Sequence, residues 1–289
     1  MTAGVDLQPD DDQRALRDGF RALLARRFGR DALRAAVSAP GLDRTLWRAV
    51  GDAGFFALRV PEARGGLGLG AVEAVLVFEE AGRALLPGPL VATFLAAGEV
   101  EGAATGETVV TAVDGTLVPW LDEADVVVGD AAGATPLRSV DPLTPLHRVP
   151  GACAREPLAS LLLAAEQLGS ACGTRDMAVQ YAREREQFGQ PIGAFQAVKH
   201  LCAELLVRTE VARAAVYAAA VTGDPGEVAG AKLLADEAAV RNARDCLQVH
   251  GGMGFTWEAD VHLHLKRAWV RAGLGTTAAR AEEELAAAL

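Results

Sequence analysis

Apolar residues recur at helical spacing from the start of the chain. After the acids at 10–12, Leu16, Phe20, Leu23, Leu24 and Phe28 mark one face of a helix over 10–28, with aspartates at its positive end. Asp43 is placed to cap a helix through Leu46, Trp47 and Val50 that stops near Gly54. A glycine-rich loop, VPEARGGLGLG, occupies Val60 to Gly70. An apolar helix over about 71–86 halts before Pro87 and Pro89, and a fourth helix is predicted over 90–99. The pattern then changes. Thr108-Val109-Val110-Thr111, an Asp114-Gly115 turn and Val126-Val127-Val128 predict short strands joined as a hairpin, and 131–156 is rich in proline with little periodicity. Helical spacing returns over 157–186 and again over 194–222, where Phe195, Val198, Leu201, Cys202, Leu205 and Leu206 share a face. Asp224, Pro225 and Glu227 form a helix-start signal with a capping box, and that helix runs to about His250. A glycine cluster follows, then a last helical region to Leu289.

The fold class is therefore mainly α with a small β module. The predicted domains are an N-terminal helical domain (1–99), a reduced middle β domain (100–156) and a C-terminal helical bundle (157–289). With 51% hydrophobic residues the chain has ample material for a core, and a net charge of −10 argues against a general nucleic-acid binder. No run of about 18 apolar residues suggests a membrane span. The N-terminal MTAGVDLQPDDDQ lacks the basic start and apolar run of a signal peptide. Cys153, Cys172, Cys202 and Cys246 are scattered without CxxC spacing, so the expectation is reduced thiols in a cytoplasmic protein and no metal site.

Three stretches can carry chemistry. Arg183 to Gly193 ends a helix in Gly189 and Pro191. Its arginines suit a phosphate and Phe188 suits a ring, but a solvated helix end fits composition as well. Gln248 to Thr256 offers glycines that let a backbone approach a ligand, and His250 reads either as a base or as a helix-end cation. Leu274-Gly275-Thr276-Thr277 offers hydroxyls for a pyrophosphate or simply a helix cap.

In their order and spacing these stretches resemble the acyl-CoA dehydrogenase family. REREQFGQPIGAFQAVKH, then QVHGGMGFTWE, then Gly-Thr-Thr before a final helix are similar to that family's C-terminal domain. LWRAVGDAGFFALRVPEARGGLGL followed by FEEAGRALLPGPL looks like its first helical domain, so the resemblance covers about 1–100 and 157–280. It implies a fold of N-terminal helical domain, middle β domain and C-terminal four-helix bundle, with FAD across a subunit interface. Carried over by motif, Arg185 contacts the pyrophosphate. Gln187 and Phe188 pack near the ADP half, Gln248, Gly251 and Gly252 hold the adenosine and pyrophosphate end, and Thr276 joins them from the last loop.

The family reaction is α,β-dehydrogenation of an acyl-CoA by a glutamate base and flavin. Here both base positions that the family uses are empty. The one before the Gly-Thr is Leu274; the alternative, seven residues before Glu166 on the first helix of the C-terminal domain, is Ala159, followed by Ser160. Glu166, Glu258 and Asp260 are the acids nearest these motifs, and a structural role is expected for the first two. The middle module is about half the family's usual length and lacks its flavin-ring motifs; the region near Trp120 comes nearest to the strand that meets the ring. The resemblance thus implies the shortened subunit of a heterotetrameric (α2β2) enzyme, as in actinobacterial members of steroid side-chain degradation. A longer partner would supply base, ring pocket and most of the acyl-CoA site. A vestigial pocket here would leave room for a bulky acyl group, and electron-transfer flavoprotein would be the acceptor. The alternatives are a homo-oligomeric enzyme with a displaced base, Glu166 or Asp260, and a scaffold subunit that binds no flavin.

Overall fold

The computed structural model describes residues 8–151 and 156–287; Cys153 and the last two residues of the predicted final helix lie outside them. The N-terminal part holds α1 (Asp11–Arg27), α2 (Arg30–Ser38), α3 (Arg44–Asp52), α4 (Ala71–Arg83) and α5 (Leu90–Ala96). Asp10 accepts from Gln13 N–H, and the Gln13 side chain accepts from Asp10 N–H, which closes a capping box on α1. Asp43 caps α3 as the sequence predicts. Helix α2 has no counterpart in the sequence reading. Nine residues with Leu33 as the buried anchor make too short a repeat to stand out. The fourth helix stops at Ala96, three residues short of the predicted end, and Gly98 and Gly102 lie in the turns beyond it.

The middle segment is rearranged relative to expectation. Strands β1 (Val110–Ala112), β2 (Leu117–Pro119), β3 (Val126–Val128), β4 (Thr135–Leu137) and β5 (Leu146–Arg148) are each three residues long. The predicted hairpin across Asp114-Gly115 does not form. Strand β1 pairs in parallel with β3, Val110 opposite Val126, while β2 joins an antiparallel sheet in the order β2-β5-β4. Side chains decide this choice. Thr93 of α5 both donates to Val110 O and accepts from Val110 N–H, at 3.0 Å each, so α5 takes the place of a neighbouring strand. Asp125 accepts from Val109 N–H at 2.8 Å and is gripped by Arg44, which draws β3 to β1.

The C-terminal part holds α6 (Pro157–Glu184), the two-residue strands β6 (Glu186–Gln187) and β7 (Gln190–Pro191), α7 (Gln196–Thr222), α8 (Pro225–His250), α9 (Val261–Ala272) and α10 (Ala278–Ala287). Helix α6 is buried without a break from Ala159 to Thr174, the pattern of a helix covered on all sides. It packs on α4, α7 and α8, and one core joins Phe55, Phe56 and Phe78 to Leu161, Leu162, Leu168 and Val216. The crossing of α4 and α6 depends on two glycines. A Cβ on Gly82 would lie 2.0 Å from Glu166 O, and one on Gly169 would lie 1.9 Å from Glu79 O. At α8 the predicted capping box is only half made. Asp224 accepts from Glu227 N–H, but the Glu227 carboxylate takes the Thr222 hydroxyl instead. Cys172, Cys202 and Cys246 are free thiols, and burial pushes Cys172 and Cys246 up to about 12, so they stay protonated.

Charged pairs tie the layers. Glu79 of α4 accepts from Arg213 and Tyr217 of α7 at 2.7 and 2.8 Å, and Glu80 holds Arg21 of α1. Arg267 of α9 donates to Asp141, and Arg271 to Glu166, both pairs buried. His264, fully buried, sits 2.9 Å from the Ser170 hydroxyl. Burial, with the positive charges of Arg267 and Arg271, pushes this histidine down to about 3 from 6.5. The folded chain binds no proton there until strongly acid pH, whereas the unfolded chain does so below about 6.5. His264 therefore contributes stability above that pH, and the contribution falls as pH drops towards 3. The expected loss is about 2 kcal/mol by pH 5. Denaturant unfolding at pH 7 and pH 5 checks it: the His264→Gln variant should lose less stability over that interval than the parent chain. Parallel losses would refute it.

Candidate functional site

Two concave regions bear part of the set singled out by the sequence, Arg185 and His250 in one and Ala159, Glu166, Leu274 and Gly275 in the other. The first is an open cleft of about 890 Å³ between the end of α6, the end of α8 and the N-terminal part of α2. Arg185 is the C-cap of α6, its N–H bonded to Tyr181 O at 2.9 Å, so its side chain leaves the helix at the lip of the cleft. No carboxylate among the described residues pairs with it. Arg30 and Arg34 of α2 line the same cleft; both are tied to Asp260, Arg30 at 2.7 Å. Sequence reasoning missed these two arginines, because the helix that presents them was itself missed. Tyr181 stacks on His250 with ring centroids 4.1 Å apart, and His250 Nδ1 lies 2.8 Å from Cys246 O. His250 is thus held as a wall of the cleft and not as an aimed base.

Beyond Arg185 the chain makes a hairpin, β6 to β7, with Phe188 (φ 53°) and Gly189 (φ 78°) at its tip. That is the left-handed pair a two-residue hairpin requires. Phe188 is 92% exposed, its ring set edge to face against that of Phe195 with centroids 6.0 Å apart. Gln187 is exposed with its amide donating to Glu186 O, and Gln248 is exposed on the last turn of α8. At Gly251 the backbone has φ 58° and ψ −138°, a conformation for glycine alone, and neither Gly251 nor Gly252 has an atom within 4 Å of a built Cβ. The Gly251 N–H itself is taken by Gln248 O, closing α8. What this loop offers a ligand is therefore open backbone at Gly251-Gly252 flanked by the exposed Phe255 and Trp257.

The second region is a cavity of about 540 Å³ between α5, the β module, the first turns of α6 and the end of α9. Leu274 and Ala159, the two vacant base positions, line this one cavity although they are far apart in sequence. Gly275 (φ 61°) fits only as glycine, since a Cβ would lie 3.0 Å from both Leu163 and Ser160. Thr276 follows Gly275, is buried, and does not line the cleft that holds Arg185: its hydroxyl lies 3.1 Å from that of Ser160, and its N–H donates to Ser160 Oγ. Glu166 lines the cavity but is buried and bound by Arg271; burial pushes its pKa up against the pull of Arg271 and Arg267. Asp260 lies elsewhere, salt-bridged to Arg30 and Arg34 beside the first cleft. Neither acid is free to take a proton from a ligand in the cavity. A pocket-sized space lies here, with Trp120 (φ 62°) in its wall. Among the described residues no group of acids, histidines and cysteines is placed to hold a metal, and no helix is long and apolar enough to cross a membrane.

Comparison with known proteins matches both ends of the chain. The profile described as acyl-CoA dehydrogenase, N-terminal domain, covers residues 10–107, and that described as acyl-CoA dehydrogenase, C-terminal domain, covers residues 159–283. The chain is 37% identical to acyl-CoA dehydrogenase IpdE2 of Mycobacterium tuberculosis over 91% of its own length and 92% of that protein. Among solved structures it is similar to the Tcur3481-Tcur3483 steroid ACAD G363A variant, with 25% identity and a TM-score of 0.81 over 96% of this chain and 97% of that one. The ChsE4-ChsE5 complex from Mycobacterium tuberculosis has the same fold, with 23% identity and a TM-score of 0.83 over 98% of each chain. Arg185, the glycine loop and the Gly-Thr turn all lie inside the matched C-terminal segment, and the chain belongs to the acyl-CoA dehydrogenase family.

Proposed function

We propose that the chain is the non-base subunit of a heteromeric, FAD-dependent acyl-CoA dehydrogenase. The observation that carries this reading is that apolar Leu274 and Ala159 occupy both base positions and line one cavity, while Glu166 in its wall is held by Arg271. The outer cleft, in contrast, keeps the Arg185 guanidinium, which no carboxylate among the described residues holds, and the exposed Trp257. Those residues fit the ADP half of FAD: Arg185 for the diphosphate, Phe188 and Gln187 beside it, and Gln248, Gly251 and Gly252 as open backbone and amide towards the adenosine. Thr276, which the family motif would add to this set, stands apart from it, with its hydroxyl and N–H on Ser160. FAD, once bound, supplies the acceptor for the hydride that leaves the acyl β-carbon. This chain's residues bind and orient; the α-proton goes to a glutamate of the partner, which also provides the flavin-ring pocket and most of the acyl-CoA cleft.

Charge supports the partner's share. Glu99, Asp114, Glu156 and Glu166 line the cavity against Arg267 and Arg271, both of which already hold carboxylates. A polyanionic CoA is poorly served by such a wall. The name of the Tcur3481-Tcur3483 structure, a steroid ACAD, supports a steroid-derived acyl group as the substrate class, and electron-transfer flavoprotein as acceptor and a cytoplasmic setting complete the reading. The displaced-base alternative is disfavoured because Glu166 and Asp260 are both held by arginines.

Coexpression with a longer family member should give a yellow complex with one flavin per heterodimer, and the chain alone should purify without flavin. Stoichiometric FAD on the lone chain would refute the assignment. Leu274→Glu in the complex should not add a second dehydrogenation site, as counted by active flavin per heterodimer.

A further inference from the structure

Helix α7 is apolar on two sides. Its inward face, with Leu205, Ala212 and Val216, is buried against α4, α6 and α8. On the opposite side Ala203, Val207, Val211, Ala214, Ala218 and Val221 follow one another at steps of three or four. They make a stripe of about 27 Å along the helix. Val207, Val211 and Val221 in it are 57%, 49% and 46% exposed. Single exposed valines are ordinary, but a helix that is apolar on both sides is normally covered on both. The charges of α7 are turned away to other duties. Glu210 is held by Arg175 and Arg213, Arg213 holds Glu79, and Arg208 holds Asp245. Glu204, at the edge of the stripe, lies 3.8 Å from Arg208.

The order of residues in the stripe points to its occupant. Reversed end for end about a point between Glu210 and Val211, the stripe falls on itself: Ala203 meets Ala218, Val207 meets Ala214, and Val211 lies beside the axis. Alanine opposite valine or alanine lets two helices approach closely. The charges at the two ends match as well. Lys199 and His200 are exposed at the start of α7, and the reversal sets them beside the end of the other helix, where Asp224 and Glu227 are exposed. That start is also the positive end of the helix dipole, and it has no side-chain cap of its own. A parallel pair would instead set Lys199 on Lys199 and Asp224 on Asp224. A surface that is its own complement under a two-fold rotation is what a contact between identical chains requires. We propose that the outer face of α7 docks a second copy of this chain, the two α7 helices lying antiparallel with Val211 beside the two-fold axis. The contact joins this chain to itself and does not rest on how FAD is shared with a longer subunit.

The test uses the full chain in whichever assembly it purifies, alone or with a longer family member. Val211→Cys under mild oxidation should give a covalent dimer of twice this chain's mass. Val207→Cys with Ala214→Cys should do the same, whereas the parent with its native cysteines should not. Val207→Glu with Val211→Glu sets carboxylates into the contact from both chains. Both positions are exposed, so circular dichroism and melting should match the parent. Self-association should weaken about a hundredfold or more. Sedimentation velocity should then show the parent's mass halved, from dimer to monomer or from heterotetramer to heterodimer. Flavin per heterodimer should stay as in the parent, so a failure of the shared FAD site and a failure of this contact are read separately. If the glutamate variant does not fold, the cysteine cross-links decide alone. A parent that sediments as a monomer or a simple heterodimer would overturn the proposal, as would a folded glutamate variant of unchanged assembly mass. So would a Val211→Cys chain that cross-links only to the longer subunit or to nothing.

Discussion

Arg267→Met is expected to destabilise the fold by about 3–5 kcal/mol, a large part of the roughly 5–15 kcal/mol that holds a domain folded. Arg267 and Asp141 are each at most 2% exposed, and the pair joins α9 to the loop before β5. The guanidinium also donates to Leu86 O and Leu143 O, so its loss takes a donor from two carbonyls and leaves the buried Asp141 charge with neutral donors, Thr144 Oγ1 and Leu143 N–H, in place of a cation. Attraction between the charges is not the main reason for the size of the effect. Taking both charges from water was costly to begin with, and removing one partner leaves that cost with no compensation. Replacing both, Arg267→Met with Asp141→Leu, should therefore recover much of the loss. Equilibrium denaturation of the three proteins decides it: a single-variant loss below about 1 kcal/mol, or a double variant no better than the single, would contradict the account.

In the coexpressed complex, Arg185→Ala should weaken FAD retention about tenfold to a hundredfold, with the assembly intact by gel filtration. The reason is chemical. A diphosphate oxygen accepts charge-assisted hydrogen bonds from a guanidinium worth about 1.5–3 kcal/mol. Arg185 has no competing carboxylate among the described residues, so all of its capacity is available to a ligand. Arg185→Lys should restore part of the retention, as a point charge without the bidentate fork. Flavin released on dilution, followed by fluorescence, reads the effect. A complex that keeps its flavin equally well in all three forms would favour the scaffold reading over the shared site.

The helices and the site differ in how much of each the sequence makes legible. Apolar spacing and the caps at Asp43 and Asp224 place the long helices to within a few residues, because helix signals are local. The vacancies at Leu274 and Ala159 are also local, being single positions in recognisable motifs. What was illegible is long-range. Strands of three residues carry no usable alternation, and the pairing of β1 with β3 is set by Thr93 and Asp125, which no pattern in the segment reveals. Arg30 and Arg34 reach the outer cleft from a helix too short to announce itself. The pairing of Arg271 with Glu166, and the cavity above it, join residues that only the folded chain brings together.

The crossing of α4 and α6, close at Gly82 against Glu166 and at Gly169 against Glu79, limits how this chain can be divided. The two segments matched by separate family profiles share one core through that crossing, so the boundary between them is a boundary of description and not of folding. Neither segment keeps its buried face covered without the other. A recombinant that takes α4 from one relative and α6 from another must inherit side chains small enough at both places, or the helices are prised apart where the two backbones meet. Inheritance of this chain is thus tied at a point remote from cofactor and substrate, and descent by exchange of segments is confined to partners that carry the same pair of bare backbones.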